Sequence, residues 1–224
     1  MPHTLTLQSI TALTHDVNRL TFDKPSGLAY APGQAVDLAL DRDGWREEKR
    51  PFTFTSLPSD GGLEFTIKSY PDHDGVTEQI GKLQPGDTVL VDEPWGAIED
   101  KGAGWFIAGG AGVTPFIAIL RQRLADKGTL EGSELIFSNK AERDIIMRDE
   151  FEAMKGLTCR FIVTQQPESP LSHDKIDRDM LAKVVKPGQG KCYICGPDAM
   201  LEDIEKALKA IGVDESDIIT EQFD

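Results

Sequence analysis

Residues 107–115 read Ile107-Ala108-Gly109-Gly110-Ala111-Gly112-Val113-Thr114-Pro115, and this stretch decides the fold of the second half of the chain. A short apolar strand candidate at 105–108 precedes it, and a helix candidate at 115–126 follows it. Proline suits the first helical position, where its missing N–H costs nothing. Glycines at such a turn let backbone N–H groups approach a phosphate, and the helix N-terminus adds partial positive charge. The stretch predicts a nucleotide-binding βα unit; the alternative interpretation is a tight turn without a ligand.

The rest of the second half alternates between strand and helix candidates. Strands are predicted at 134–138, 158–164, 192–195 and 218–223, and helices at 147–155, 176–185 and 198–211. Gly156 and Gly212 fall where helix-ending glycines are expected. Alternation of this kind predicts a five-stranded parallel sheet with helices on both faces.

The first half has the two-residue period of β-strands instead. Apolar side chains alternate at positions 5 and 7, 20 and 22, 36 to 40, 52 and 54, 63 to 67, and 89 and 91. One short helix fits residues 77–83, before a Gln-Pro-Gly-Asp turn. The pattern predicts an antiparallel sandwich or barrel. A polar, glycine-rich link at 100–104 predicts two domains, 1–99 and 100–224.

Composition excludes several classes of function. The net charge of -14 makes nucleic acid a poor partner. No apolar run reaches the roughly 20 residues of a membrane helix, and the N-terminus has no signal-peptide pattern. Three cysteines are too few for a ferredoxin-type cluster and suit a reducing cytoplasm, and the four scattered histidines predict no metal site.

The glycine stretch departs from the usual dinucleotide fingerprint. Gly110 and Gly112 fit its first two glycines, but Pro115 stands at the third. The second strand candidate ends in Ser138-Asn139-Lys140, without the acidic residue that would hold a ribose. An ordinary NAD dehydrogenase is therefore disfavoured.

Four motifs in order resemble those of the ferredoxin–NADP(+) reductase superfamily, which includes NADH-cytochrome reductases, and the likeness covers nearly the whole chain. They are Arg50-Pro51-Phe52-Thr53; Ile67-Lys68-Ser69-Tyr70 with Asp74-Gly75-Val76-Thr77; Gly110-Ala111-Gly112-Val113-Thr114-Pro115; and Cys195-Gly196-Pro197 with Met200 beyond. The resemblance implies a flavin-binding antiparallel β-barrel followed by a nucleotide-binding α/β domain.

The resemblance also implies roles in flavin binding. Arg50 would hold a phosphate, Phe52 would lie against the isoalloxazine ring, and Thr53 would offer its hydroxyl to flavin N5. The remaining implied contacts are Pro51, Ile67, Lys68, Ser69, and the backbone N–H groups of Gly75, Val76 and Thr77. FAD is favoured over FMN by the resemblance alone.

Two residues depart from the pattern of the superfamily. Phe52 replaces the usual tyrosine, so one phenolic hydrogen bond is missing. Asp74 stands where glycine is usual, and an acidic residue beside a phosphate is unhelpful unless it points away.

On the nucleotide side, the resemblance implies contacts from two groups of residues. These are Gly110, Gly112, Val113, Thr114 and Pro115 in the turn, and Cys195, Gly196, Pro197 and Met200 near the nicotinamide. Ser138, Asn139, Lys140 and Arg143 follow the second strand, and their hydroxyl and positive charges favour NADPH. NADH stays open, because 138–144 is also similar to NADH-using members.

Cys192-Tyr193-Ile194-Cys195 could be a redox Cys-x-x-Cys, but it lies on a strand candidate. Residues three apart on a strand point to opposite faces, which disfavours a dithiol. Cys192 is expected to be buried and Cys195 to face the ligand crevice at the strand's carboxyl end. The ending Glu221-Gln222-Phe223 resembles an acidic and aromatic tail of the superfamily, in which Glu221 would manage protons and Phe223 would cover the site.

The function implied is hydride transfer from NAD(P)H to FAD, then electron transfer to a ferredoxin- or flavodoxin-type carrier, by a monomer. Such carriers are acidic, and this chain is acidic overall, so it would need a local basic face to bind one. The run 46–50 together with Arg121 and Arg123 could form that face. One alternative is a reductase of free flavin, ferric chelate or quinone. The other is a non-catalytic subunit that binds flavin or nucleotide.

Overall fold

Two sheets form the chain in a computed structural model that describes residues 2–70, 74–96 and 98–220. The first is a six-stranded antiparallel sheet with the strand order β4-β3-β6-β1-β2-β5. Its strands are β1 (His3–Ala12), β2 (Val17–Asp23), β3 (Ala35–Leu40), β4 (Arg50–Thr53), β5 (Gly62–Lys68) and β6 (Thr88–Val91).

The first sheet curls towards a barrel, as the resemblance implies. Its two edge strands, β4 and β5, approach each other, and Phe54 forms an antiparallel bridge with Phe65 where they meet. The apolar side chains that alternate in the sequence point into one core, in which Phe54 lies between Tyr30 and Phe65. Their burial inside the curled sheet provides the main driving force for this half of the fold.

The second sheet is parallel and has five strands in the order β11-β10-β7-β8-β9. Its strands are β7 (Gly104–Gly109), β8 (Ser133–Asn139), β9 (Leu157–Val163), β10 (Lys191–Cys195) and β11 (Ile218–Thr220). The helices α2 (Thr114–Lys127), α3 (Arg148–Ala153), α4 (Arg178–Val184) and α5 (Asp198–Ala210) connect them. Two separate apolar clusters lie on its two faces, as expected of a covered parallel sheet.

The short helix of the first half, α1 (Val76–Ile80), differs from the predicted 77–83. Its last two predicted residues, Lys82 and Leu83, form tighter turns and donate their N–H groups to carbonyls three residues back. The other helices begin and end within about two residues of their predicted positions, as is usual for frayed helix ends. Among the described residues, no helix is both long and apolar enough to cross a membrane.

The link between the sheets is held by side chains of the second half. The hydroxyl of Tyr193 accepts the N–H of Lys101 at 2.9 Å and donates to the carbonyl of Gly102 at 2.8 Å. Arg123, only 4% exposed, donates to the carboxylate of Asp100 at 2.6 Å. Burial raises the pKa of Tyr193 to about 12, so its phenol stays protonated and can serve both partners.

Four charged side chains also join the two halves. Arg121 of α2 donates to Glu64 of β5 at 2.8 Å, to the carbonyl of Thr55 at 2.6 Å, and to Glu150 of α3 at 2.6 Å. Arg19 of β2 lies 3.2 Å from Glu64 and 3.7 Å from Glu150. We call Arg19, Glu64, Arg121 and Glu150 the interdomain network.

In the parallel sheet, Gly104 lies where the neighbouring strand leaves no room for a side chain. Its φ is +154°, and a Cβ built on it would overlap the backbone oxygen of Lys191 on the neighbouring β10. We expect Gly104→Ala to lower the free energy of unfolding by about 3 kcal/mol or more, because backbone strain and overpacking each cost about 1–3 kcal/mol. Urea unfolding followed by circular dichroism measures this.

Gly102→Ala is the matched control, since Gly102 has a φ of +123° but open space around its Cβ position. This variant has the conformational strain without the overlap, so its loss of unfolding free energy should be about 2 kcal/mol smaller than that of Gly104→Ala. Equal losses of unfolding free energy in the two variants would show that the overlap with Lys191 contributes nothing to the destabilisation.

Candidate functional site

A central cavity of about 430 Å³ lies where the two sheets meet. The barrel contributes Pro51, Phe52, Thr53, Thr66, Ile67, Lys68, Tyr70 and Thr77 to its wall. The parallel half contributes Gly109, Ala111, Gly112, Thr114, Cys195, Gly196 and Pro197. Its volume is in the range of small-molecule sites, and residues distant in sequence line both sides.

The strand β4 brings most of the first predicted motif to this cavity. Phe52 and Thr53 line it, with Phe52 packed on the edge of the barrel core and Thr53 only 6% exposed. Arg50 lies on the same strand but outside the lining. Its guanidinium donates to the carbonyl of Lys49 at 2.6 Å and lies 3.7 Å from Glu48.

The strand β5 brings Lys68 to the cavity, and Lys68 forms an ion pair there. Its Nζ lies 2.7 Å from the carboxylate of Asp16. Burial alone would raise the pKa of Asp16, but hydrogen bonds from Lys68 and Thr14 outweigh burial and lower it. Ser69, the next residue, points away and lines a smaller neighbouring hollow; its buried Oγ has no hydrogen-bond partner among the described residues. Ser69, predicted to bind the flavin, therefore does not line the central cavity.

The predicted phosphate loop lies beside the same wall. Gly75 precedes α1, Thr77 lines the cavity, and the side chain of Val76 is buried in the barrel core. Asp74 has a φ of +46°, a left-handed conformation that aspartate tolerates better than most residues, and its N–H donates to Glu78 at 3.0 Å. Asp74 thus adopts the backbone conformation that favours glycine at this position.

The stretch 109–114, which we call the glycine loop, is shaped by backbone contacts. A Cβ on Gly112 would lie 2.5 Å from the carbonyl carbon of Cys195 and 2.6 Å from the nitrogen of Gly196. A Cβ on Gly109 would lie 2.5 Å from the sulfur of Met200. These glycines let the loop lie directly against the end of β10. Val113 and Pro115 are also predicted to contact a cofactor. The side chain of Val113 is buried in the core and Pro115 is buried at the start of α2, so only their backbone can face the site.

A second hollow, the edge groove, continues from the central cavity and has a volume of about 380 Å³. It shares Lys68, Tyr70, Gly109, Ala111 and Pro197 with the cavity and adds Gly110, Ser138, Asn139, Lys140, Asp144, Thr164 and Met200. It follows the carboxyl ends of β7, β8 and β9, where open α/β sheets bind ligands.

Three of the four predicted residues after β8 line this groove, and one does not. Ser138, Asn139 and Lys140 lie in it, and the amide of the buried Asn139 has no hydrogen-bond partner within the described part of the chain. Arg143 has its side chain 77% exposed, lies outside the groove, and reaches Asp144 only at 3.9 Å. Arg143 therefore does not line the groove itself, although its guanidinium lies beside Asp144, which does.

The two cysteines of the Cys-x-x-Cys lie on opposite faces of β10, as expected of a strand. Cys192 packs against α4 and α5, and burial raises the pKa of its thiol to about 12. Cys195 is 2% exposed, packs on the other face and lines the central cavity. Glu221 and Phe223 lie outside the described residues.

The arginines do not form the basic face that the sequence left open for an acidic carrier. Arg121 is turned inward onto Glu64 and Glu150 of the interdomain network, and Arg123 is turned inward onto Asp100. In the exposed run 46–50, Arg46 pairs with Asp41 at 2.7 Å and Lys49 with Asp92 at 2.7 Å. Each positive charge is thus matched by a nearby carboxylate. Within the described ranges, no cluster of three metal-ligating side chains was found.

Several residues of the site were missed by sequence reasoning. They are Thr66, Tyr70, Gly109, Ala111, Asp144 and Thr164. Gly109 and Ala111 lie inside the quoted glycine stretch, and Thr164 follows β9, so the rule for strand ends would have found it. Tyr70 is the large apolar side chain most exposed to solvent in the described chain, at 45%, and it borders both hollows.

Comparison with known proteins agrees with this division of the site. Residues 4–99 match the model of an oxidoreductase FAD-binding domain, and residues 106–206 match that of an oxidoreductase NAD-binding domain. Together the two matches cover nearly the whole chain.

Curated relatives include reductases and an electron transfer component. The toluate 1,2-dioxygenase electron transfer component of Pseudomonas putida is 28% identical over 203 residues, which cover 88% of this chain and 59% of that protein. The NADH-cytochrome b5 reductase 2 of Mycosarcoma maydis is 28% identical over 221 residues, which cover 89% and 63%. The chain thus spans about 60% of the length of these relatives.

Solved structures share the fold over its full extent. The CS-b5R domains of human Ncb5or, in an NAD+ form, superimpose with a TM-score of 0.88 at 26% identity, over 99% of this chain and 70% of that one. A ferredoxin NADP+ reductase from Neisseria gonorrhoeae with bound FAD and NADP gives a TM-score of 0.85 at 20% identity, over 98% of each chain. The chain carries an FAD-binding and an NAD-binding domain, and it belongs to the ferredoxin–NADP(+) reductase superfamily.

Proposed function

We propose that the chain is an NAD(P)H-dependent flavoprotein reductase, which passes a hydride from NAD(P)H to FAD and then electrons to an acceptor. The observation that carries the proposal is the continuity of the central cavity with the edge groove through Gly109, Ala111 and Pro197. A cofactor in the FAD-binding half and a nucleotide along the strand ends would meet at this shared wall. Holding two reactants in close, oriented contact is a large contribution of a protein to such a reaction.

The residues of the central cavity suit a flavin. Phe52 offers an aromatic face and Thr53 a nearly buried hydroxyl, on a wall that is otherwise largely apolar. When bound, FAD supplies the chemistry: it accepts hydride and releases electrons singly. In the proposal, Phe52 would pack on the ring and Thr53 would offer its hydroxyl to N5. Cys195 would border the place of hydride transfer, and Arg50 would leave Lys49 and Glu48 to hold a phosphate.

We place the domain boundary between residues 99 and 100. The family matches, 4–99 and 106–206, leave only six residues between them, and the hydrogen bonds of Tyr193 and Arg123 anchor the chain just after this point. We infer a monomer, because one chain supplies both walls of the site. The low cysteine count supports a cytoplasmic location.

We propose an electron-carrier protein as the acceptor. The supporting observation is that relatives over most of this chain include an electron transfer component and NADH-cytochrome b5 reductases. Because Arg121 and Arg123 are paired internally, they are not available to dock an acidic carrier. Charged residues other than these two would then steer the carrier to the protein, and turnover with a carrier should fall as the salt concentration rises. Turnover of a small acceptor such as ferric chelate or quinone should change little with salt.

The first test of the proposal is the visible spectrum of the purified protein under anaerobic conditions. We expect flavin absorbance that bleaches on addition of NADPH or NADH, because hydride transfer reduces the bound ring. Denaturation and chromatography of the released flavin identify FAD or FMN. A protein that neither carries nor binds flavin would contradict the proposal and favour the non-catalytic alternative.

We further propose a preference for NADPH, supported by Lys140 in the edge groove. Lys140→Gln should raise the KM for NADPH about three- to tenfold and leave that for NADH unchanged, because one contact between an exposed lysine and a phosphate is worth about 1 kcal/mol. Steady-state kinetics with both nucleotides measures the effect.

Lys206→Gln is the control, since Lys206 is 74% exposed on α5 and pairs with Glu202 on the same helix. Equal catalytic efficiency of the unchanged protein with NADPH and NADH would remove the preference. So would an equal effect of Lys140→Gln on both nucleotides.

A further inference from the structure

The helix that follows the glycine loop presents two functional side chains on one face. Thr114, at the start of α2, lines the central cavity, and Arg121 lies seven residues later. Seven residues are about two helical turns, so the two side chains point in nearly the same direction, roughly 10 Å apart along the axis.

The strand β5 has a matching face on the barrel. Glu64, Thr66 and Lys68 alternate with the core residues, so they share the outer side of the strand. Glu64 receives the hydrogen bond of Arg121 at 2.8 Å, and Thr66 lines the central cavity. The face of α2 and the face of β5 therefore meet twice, once at the ion pair and once across the cavity.

A chain of hydrogen bonds connects these two meeting points. The hydroxyl of Thr55 donates to Glu64 at 2.8 Å and lies 3.3 Å from the hydroxyl of Thr66. Arg121 also holds the carbonyl of Thr55 at 2.6 Å. A displacement of Arg121 would thus be transmitted to the cavity wall through groups that are mostly buried.

The contacts of Arg121 are directional. Its planar guanidinium is held by Glu64, Glu150 and the carbonyl of Thr55, and its side chain is only 20% exposed. Three acceptors from three segments fix both the position and the tilt of such a group. Burial acts against the charged guanidinium, but the hydrogen bonds that it donates to Glu150 and Glu64 outweigh burial and raise the pKa of Arg121.

We propose that Arg121 is a positioning residue, which sets the separation of the Thr66 wall and the Thr114 wall and thereby the alignment of nicotinamide and flavin. The inference rests on the proposed function. It assigns to Arg121 a part in the rate of hydride transfer without contact with either cofactor.

Arg121→Met is the appropriate variant, because it keeps the length of the side chain and removes the hydrogen bonds. Arg19 remains 3.2 Å from Glu64 and 3.7 Å from Glu150, so neither carboxylate is left without a cation. The variant should therefore fold. Arg121→Lys keeps the charge but loses the planar fork. Arg160→Met is the control, since Arg160 pairs with Glu134 at 3.0 Å inside the parallel half.

The first readout is the distance between the two domains. Spin labels replace Asp43 on the barrel and Lys206 on α5, whose side chains are 100% and 74% exposed, in a Cys159→Ser background. Cys192 and Cys195 are buried and should not be labelled. We expect a broader or shifted distance distribution for Arg121→Met, and an unchanged one for Arg160→Met. An unchanged distribution for Arg121→Met would overturn the proposal.

The second readout is the single-turnover rate of flavin reduction at saturating nucleotide. It should fall about 10- to 100-fold in Arg121→Met, because misplacement by about 1 Å can cost 100-fold, while FAD and nucleotide Kd stay within about twofold. Arg121→Lys should lie between Arg121→Met and the unchanged protein. A full rate, or a loss explained by weaker cofactor binding, would overturn the positioning role. If the unchanged protein is not reduced by either nucleotide, the proposed function fails, and the spin-label distances still test the domain arrangement.

Discussion

The guanidinium of Arg121 crosses from the helix after the glycine loop to a strand of the barrel, and the relative position of the two sheets depends on this contact. It satisfies Glu64, Glu150 and a backbone carbonyl at the same time. Removing a half-buried pair of this kind from water is costly, so it is stable only where the geometry supplies several hydrogen bonds at once. The two hollows of the site lie at the edge of this junction and change shape if the sheets move.

Backbone packing explains the composition of the glycine loop as much as ligand binding does. Gly109 and Gly112 lie against Met200 and the Cys195–Gly196 peptide, where no side chain fits. The close approach keeps the start of α2 beside the end of β10. The loop therefore transmits the position of α2, which Arg121 fixes on the barrel, to the wall that contains Cys195.

The sequence predicted the elements and their order because each depends on local patterns. The two-residue period of 63–67 and the alternation after residue 105 both correspond to the strands and helices found. Long-range pairing was not predictable in this way. Arg121 and Arg123 were considered for a surface patch, but their partners lie 57 and 23 residues away in the chain, and no local pattern encodes these pairs. Asp74 shows the opposite case. It stands where glycine is usual in the superfamily, and its backbone adopts the left-handed conformation that favours glycine there.

The connectivity of the two sheets also determines the order in which they can assemble during synthesis. Every barrel strand that the structure describes lies within residues 3–91, and Trp95 adds a bridge to Ala35 of β3. The hydrogen bonding of the barrel is therefore complete once Trp95 has left the ribosome. The central strand β7 pairs with β10, whose first residue, Lys191, follows Gly104 only after a long stretch of chain. Since domains generally fold as units and the N-terminal one folds first, the barrel presents Glu64 as a finished surface before α2 arrives to meet it. The second half of the chain therefore docks on a barrel that has already folded.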